Sequence, residues 1–195
     1  MHDLSLYLLE LLENSVRAGA SCVRTRIALD EERDRLTIAV EDDGDGLAVA
    51  PDQALDPFYT TKRDKKTGLG LSLLREAAEQ AGGALTLGSS PRLGGLAVEV
   101  TMTLGHLDRP PLGDVATTVA VMAATNPGVE FTVEASDGRE RCVTGGAELA
   151  RGGDLLRALT RKADIPRPET IAEEPPPTAA SSGEEPVLRT TGRSR

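Results

Sequence analysis

The spacing of apolar residues changes between helical and strand-like over the first 104 positions, and this order limits the fold more than any other feature. From Leu4 to Val16 apolar residues recur every three or four positions, as on one face of a helix that ends at Gly19. Apolar and polar residues then alternate over 23–29 and over 36–40, which predicts two half-buried strands. After an irregular stretch over 44–67, a second helix over 69–80 and strands over 84–88 and 96–104 complete an α-β-β-α-β-β order.

The rest of the chain predicts a small accessory unit and a tail. Pro110 and Pro111 stiffen a linker, and Asp114 is placed to cap the next helix. The elements expected beyond it are a helix over 115–124, strands over 130–135 and 139–144 that form a hairpin, and a helix over 147–163. The last segment holds six of the 12 prolines and no aromatic residue, which is typical of a disordered tail. We therefore expect a domain over 1–105, an accessory unit over 106–165 that is small for independent stability and leans on that domain, and a disordered tail over 166–195.

Composition limits the partners and the compartment. The chain has 31 acidic and 22 basic residues and a net charge of −9, which argues against nucleic acid as a partner. Cys22 and Cys142 lie far apart and no signal peptide precedes them, so we expect a reducing compartment without disulfides. His2 and His106 are the only histidines and show no metal-ligand spacing. The apolar run Val115–Ala124 is about half a membrane span. These features predict a cytoplasmic protein with no membrane segment.

Two polar clusters lie in the first half of the predicted domain. Glu10 and Asn14 are four residues apart and so share a face of the first helix, either as a functional pair or as its ordinary polar face. Glu41–Gly46 directly follow the second strand and have three readings. They form a plain turn, or a calcium loop whose spacing departs from the EF-hand pattern. In the third reading Asp42 accepts a hydrogen bond from a base amine, and the glycines let the backbone approach a flat ring.

A third cluster, Thr67–Ser72, opens the second helix with two glycines. Backbone N–H groups at a helix N-terminus favour phosphate. A basic run over 62–66 precedes it, with four lysine or arginine residues against Asp64 alone. The local charge of +3 predicts either a solvated loop or a triphosphate site. The spacing matches neither a Walker loop nor the dinucleotide fingerprint.

The order of these clusters resembles that of one known superfamily, the gyrase, chaperone, histidine-kinase and MutL ATPases with the Bergerat nucleotide-binding fold. Glu10–Ala20 is similar to its N-box, and closest to the MutL-type version. Asp42–Gly46 is similar to the first glycine box, Asp56–Lys62 to the histidine-kinase F-box, and Thr67–Leu71 to the second glycine box. The resemblance covers residues 3–104.

This resemblance implies an α+β fold, namely a two-layer α/β sandwich, with ATP and Mg²⁺ as ligands. It implies that Asn14 gives its side-chain oxygen to Mg²⁺ and that Glu10 polarises the attacking group. It further implies that Asp42 holds the adenine amino group and that Gly44 and Gly46 shape the base pocket. The phosphate contacts that it implies are Thr61, Lys62, Thr67, Gly68, Leu69, Gly70 and Leu71.

The sequence also departs from the resemblance at several points. Only thirteen residues precede Asn14, so we do not expect a phosphoacceptor hairpin, and neither His2 nor His106 is expected to accept phosphate. Gly95–Leu96 stands where the family often has Gly-Thr, which predicts the loss of one polar contact. The MutL-type linker, dimer arms and DNA-binding domain have no counterpart here.

Two functions follow from the resemblance. The first is a kinase or ATPase of signalling type that passes phosphate to a separate partner protein, with Glu10 as its polarising base. The second is a non-catalytic ATP-sensing adaptor in which a lid over 46–67 closes on ATP while the 106–165 unit and the tail present a surface to a partner. Phe58 is either the anchor of this lid or a residue of the core. The sequence identifies neither that partner nor the oligomeric state, and it leaves a homodimer open.

Overall fold

The computed structural model describes residues 3–55, 69–138, 141–145 and 154–164. The helices are α1 (Leu4–Arg17), α2 (Pro51–Ala54), α3 (Leu69–Gln80), α4 (Val115–Thr125) and α5 (Asp154–Asp164). The strands are β1 (Cys22–Asp30), β2 (Arg35–Asp42), β3 (Ala84–Ser89), β4 (Leu96–Thr103), β5 (Glu130–Ser136) and β6 (Arg141–Gly145). Three predicted segments lie outside the described residues. They are the start of the second hairpin strand at 139–140, the start of the last helix at 147–153, and the tail at 166–195.

Helix α1 is delimited by its own sequence. The Asp3 carboxylate accepts a hydrogen bond from Leu6 N at 3.2 Å and so caps the N-terminus. The leucines at every fourth position are buried, which fixes the face that packs on the sheet. The helix ends at Arg17, and Gly19 follows with a φ of 76°, a conformation that side-chain-bearing residues rarely adopt. The helix thus ends two residues before the predicted Gly19.

The strands form one mixed six-stranded sheet in the order β3-β4-β2-β1-β5-β6. Strand β1 alternates buried and half-buried residues along its whole length, as the sequence predicts. In β2 the same alternation turns Leu36, Ile38, Val40 and Asp42 towards the helices. The strand extends two residues beyond the predicted Val40, so Asp42 belongs to β2 and its side chain points into the molecule.

All helices of the core lie against one face of this sheet. Helix α1 packs between α3 and α4, and α5 packs on α4. The result is the predicted α+β, two-layer sandwich. Strand β5 pairs in parallel with β1, from Cys22 opposite Glu130 to Ala28 opposite Ser136. The accessory segment therefore continues the sheet of the first hundred residues, and α4 extends the helix layer beside α1.

A buried arginine ties the accessory segment together. The Arg109 side chain is only 8% exposed, and its guanidinium donates to the carbonyl oxygens of Leu104 at 2.7 Å, Pro110 at 2.9 Å and Ala163 at 2.5 Å. It joins the linker after β4 to the end of α5. Asp164 accepts from Leu112 N at 2.7 Å and strengthens the same junction.

The irregular stretch predicted over 44–67 contains one element that the sequence analysis missed. Pro51 begins a single helical turn, α2, because its fixed φ suits the first position of a helix. Residues 56–67 of this stretch lie outside the described residues. Among the helices that the structure describes, none has the length and apolar character that crossing a membrane requires.

Candidate nucleotide site

Asp42 is the most deeply buried acid at the end of the sheet, with 2% of its surface exposed. Its Oδ1 accepts hydrogen bonds from Gly44 N at 3.1 Å and from Leu96 N at 3.0 Å. Its Oδ2 accepts from the Ser15 hydroxyl at 2.5 Å. Three donors compensate the burial of this carboxylate, which therefore acts as an acceptor held in a fixed orientation. A buried, oriented acceptor of this kind suits an amino group on a base.

Gly95 lets the backbone approach this carboxylate. A Cβ added at Gly95 would stand 2.5 Å from Asp42 Oδ1 and 2.6 Å from Gly44 N, both closer than real Cβ atoms come. Gly95 N also donates to the Asp42 carbonyl oxygen at 3.0 Å. The next residue, Leu96, lacks the hydroxyl of the family pattern, but its backbone N–H contacts Asp42 directly. Strand β4 thus holds the carboxylate through main-chain groups.

The two glycines predicted to shape the base pocket lie on either side of Asp45. A Cβ at Gly44 would stand 2.8 Å from the Ala18 carbonyl oxygen, so this glycine permits close contact with the end of α1. Gly46 has a φ of 72°. Asp45 N donates to Ala18 O at 3.0 Å and closes the contact between the loop and α1. The structure therefore brings Gly44 and Gly46 next to Asp42.

Asp43 holds the other side of this loop. It accepts from the Ser21 hydroxyl and backbone N–H, at 2.5 and 2.8 Å, and from Cys22 N at 2.8 Å. The Ser21 hydroxyl and then the Cys22 N–H hold the pKa of Asp43 below its ordinary value. Burial, with Glu130 and Asp43 nearby, raises the pKa of the Cys22 thiol. Asp43 is therefore a brace for the strand ends, and Asp42 alone faces the helices.

Glu10 meets the start of α3. A Cβ added at Gly70 would stand 3.0 Å from Glu10 Cδ and would overlap Glu10 Oε2. The exposed carboxylate of Glu10 thus lies against the first turn of the later helix. The N–H groups of Leu69, Gly70 and Leu71 belong to that turn and lack partners within the helix. An acidic side chain of α1 and the first turn of α3 are therefore in contact.

Tyr7 lies about one turn before Glu10 on α1 and packs against the core. Burial raises the pKa of the Tyr7 phenol, and the nearby charges of Glu10 and then Glu76 raise it further. The phenol stays protonated beside Glu10 at neutral pH.

The side-chain oxygen of Asn14, which the resemblance assigns to Mg²⁺, is in contact with the guanidinium of Arg17. Arg17 Nη2 donates to Asn14 Oδ1 at 2.5 Å, and Arg17 also bonds the Glu13 carbonyl oxygen at 3.1 Å. The oxygen is thus accessible to positive charge, which fits a Mg²⁺ ligand. The described residues contain no group of three or more acidic, histidine or cysteine side chains suited to a metal. A single protein oxygen fits Mg²⁺, since this ion is usually completed by waters and substrate phosphates.

Three of the remaining predicted contact residues belong to α3. Leu69, Gly70 and Leu71 form the start of α3, and the Leu71 side chain packs against the core, so a phosphate contact from Leu71 would come from its backbone. Thr61, Lys62, Thr67 and Gly68, together with Phe58, lie outside the described residues.

Ser15 is a site residue that the sequence analysis missed. It is 3% exposed and lies four residues after Leu11 on the apolar face of α1. A polar residue on a buried helix face needs a hydrogen-bond partner, and this was the available signal. Its partner, Asp42, is 27 residues away and could not be identified from the sequence.

The fold and these clusters define a Bergerat-type ATPase domain. Residues 2–107 match the family model described as histidine kinase-, DNA gyrase B- and HSP90-like ATPase. The match covers more than half of the 195 residues, and the chain belongs to this family. The predicted family and fold class are confirmed. A domain of this family is an ATP-binding domain.

The relatives include sensor kinases. The chain is 41% identical over 106 residues to the sensor protein kinase CarS of Pseudomonas aeruginosa, covering 52% of this chain and 23% of CarS. It is 37% identical over 101 residues to the sensor histidine kinase CpxA of Escherichia coli, covering 48% of this chain and 22% of CpxA. The chain thus spans less than a quarter of either relative.

A solved structure of the Aquifex aeolicus MutL ATPase domain complexed with ADP is 19% identical. It covers 80% of this chain and 70% of that chain with a TM-score of 0.41, a likeness too loose to bear on the site.

Proposed function

We propose that this chain binds Mg²⁺-ATP between α1 and α3 and transfers the γ-phosphate to a separate partner protein, or to water. The observation that carries the proposal is the contact of the Glu10 carboxylate with the first turn of α3 at Gly70. An acid in contact with a helix N-terminus that suits phosphate is positioned to polarise a group attacking the terminal phosphate. A module that only binds nucleotide has no need of an acid there.

Each end of the nucleotide has a counterpart in the cleft. The buried carboxylate of Asp42 would accept a hydrogen bond from the adenine amino group, and the N–H groups at the start of α3 would bind phosphate oxygens. Asn14 would contribute its amide oxygen to Mg²⁺, which when bound neutralises phosphate charge. Binding Mg²⁺ at Asn14 requires Arg17 to release that oxygen.

The proposed phosphoacceptor is a side chain of another protein. His106 is the one histidine among the described residues. Its Cδ2 lies 3.7 Å from the position that a Cβ on Gly82 would occupy, just after the end of α3. Glu10 contacts the opposite end of α3, which has 12 residues and so is about 18 Å long. An imidazole at that distance cannot attack a phosphate held at Gly70.

A second candidate function is an ATP-sensing adaptor without turnover. The observation in its favour is that α4 packs on α1, the helix that carries Glu10 and Asn14, while β5 extends the sheet beside β1. A shift of α1 on nucleotide binding would reach the proposed 106–165 unit directly. In this reading the 106–165 unit presents a surface to a partner, and Glu10 has no catalytic role.

The substitution Glu10→Gln separates the two functions. We expect it to keep Mg²⁺-ATP affinity within about threefold and to lower phosphate release or transfer by about 10²–10⁴-fold. Glu79→Gln is the matched control, since it removes the same charge from an exposed position near the far end of α3. Equal turnover in Glu10→Gln and wild type would remove Glu10 from the mechanism. Binding without any turnover in wild type would support the adaptor.

The proposal includes a cytoplasmic location. Cys22 is a free thiol, a state that reducing compartments maintain. Fractionation of cells that express the full chain would test this location.

A further inference from the structure

We infer that Ser15 is a positioning residue that sets the preference of the site for a 6-aminopurine. This inference rests on the proposed ATP site and adds to it a residue that makes no contact with phosphate or metal. The hydroxyl of Ser15 donates to Asp42 Oδ2 at 2.5 Å, and both side chains are buried, with 3% and 2% of their surfaces exposed.

The two oxygens of Asp42 differ in what they can still accept. An ionised carboxylate has about four acceptor positions, two on each oxygen. Oδ1 already accepts from Gly44 N and Leu96 N, and the backbone at Gly95 crowds it so closely that a Cβ there would be 2.5 Å away. Oδ2 accepts only from Ser15 among the described residues. A ligand amine therefore has one acceptor position left, on the oxygen that Ser15 holds.

Ser15 determines which acceptor position of this carboxylate stays open. The two oxygens turn together about the bond to Cβ, so the backbone donors on Oδ1 and the Ser15 hydroxyl on Oδ2 hold the same plane from its two sides. The short bond from Ser15, which stands on α1, occupies one acceptor position of Oδ2 and fixes the direction of the other. Since Ser15 follows Asn14 directly, the same helix turn carries the proposed metal ligand and the residue that orients the base acceptor.

The test compares two nucleotides that differ in one group. Purine riboside triphosphate lacks the 6-amino group of ATP and keeps its ring, ribose and phosphates. We expect Ser15→Ala to weaken ATP binding by about tenfold and to leave purine riboside triphosphate within about twofold, because only ATP uses the oriented oxygen. The preference for ATP, measured by calorimetry with Mg²⁺ present, would fall accordingly. A purely structural role would weaken both nucleotides alike.

Ser5→Ala is the matched control. Ser5 is also a buried serine of α1, 6% exposed, and its hydroxyl bonds Asp3 at 2.6 Å, away from the site. It should leave both affinities at the wild-type values. Ser15→Cys keeps a donor in place, in a slightly larger side chain that donates more weakly, so its preference for ATP should fall between those of wild type and Ser15→Ala. This variant keeps the test decisive if Ser15→Ala does not fold.

The outcomes separate the two claims. If wild type binds neither nucleotide, the proposed ATP site fails and this inference falls with it. If wild type binds ATP but both Ser15 variants keep the wild-type preference, or weaken the two nucleotides equally, only the inference is overturned.

Discussion

Gly70→Ala tests the contact between Glu10 and α3 while leaving the fold in place. The added Cβ would stand 3.0 Å from Glu10 Cδ and overlap Oε2, whereas ordinary contact begins at 3.4 Å. The Glu10 carboxylate must therefore retreat by about 1 Å or more, and a misplacement of about 1 Å can cost roughly 10²-fold in rate. The retreat itself is cheap, because the overlapping atom is the free end of a flexible side chain.

The same substitution should not destabilise the protein. Alanine is favoured over glycine in a helix by about 1 kcal/mol, so the free energy of unfolding should hold or rise slightly. Turnover is measured at saturating ATP, and affinity separately by calorimetry, because Gly70 is also expected to contact phosphate. Unfolding is followed in urea on the same samples.

Gly128→Ala is the control, since a Cβ at Gly128 meets nothing within 4 Å. Wild-type turnover of Gly70→Ala at saturation would refute the reasoning, because Glu10 would then act from another position. A loss of more than about 2 kcal/mol in unfolding free energy would instead make Gly70 a packing residue.

Three further substitutions test other parts of the account. Asn14→Ala removes the proposed Mg²⁺ ligand, so ATP affinity should lose its dependence on Mg²⁺ in titrations with and without chelator; an unchanged dependence contradicts the assignment. Arg109→Met removes a buried guanidinium and should lower the free energy of unfolding, measured in urea, by about 3 kcal/mol. A decrease below about 1 kcal/mol would contradict a stabilising role for the contacts of Arg109 with the linker and the end of α5. In Asp43, whose folded pKa lies below its ordinary value, stabilisation is present above that ordinary value of about 3.9 and is lost as pH falls through the folded pKa. In Asp43→Asn the melting temperature should therefore decrease less than in wild type as the pH is lowered. An equal decrease in both proteins would contradict a stabilising role for the Asp43 carboxylate.

Local patterns predicted most elements of the fold. Apolar spacing gave α3 its limits at Leu69 and Gln80, and the alternation in β2 set which residues face the helices. Hydrogen bonds at helix ends could also be predicted from the sequence. An example is the N-cap of α4, where the Asp114 carboxylate accepts from Thr117 N at 3.0 Å. These features depend on neighbours within a few residues, so the sequence is sufficient for them.

Contacts between distant segments could not be predicted in the same way. The parallel pairing of β5 with β1 joins Cys22 to Glu130, and no local pattern selects that partner over a free edge. The bond from Ser15 to Asp42 likewise spans two elements. The motifs located Glu10, Asn14 and Asp42 without showing what holds each in position.

The most direct test of the account is calorimetric titration of the full chain with Mg²⁺-ATP, beside Asp42→Asn. We predict a single site with a dissociation constant of about micromolar order in wild type. Asp42→Asn should bind much more weakly while melting at the wild-type temperature in the absence of nucleotide. No heat of binding in a folded wild-type protein would contradict the central claim that ATP occupies the cleft between α1 and α3.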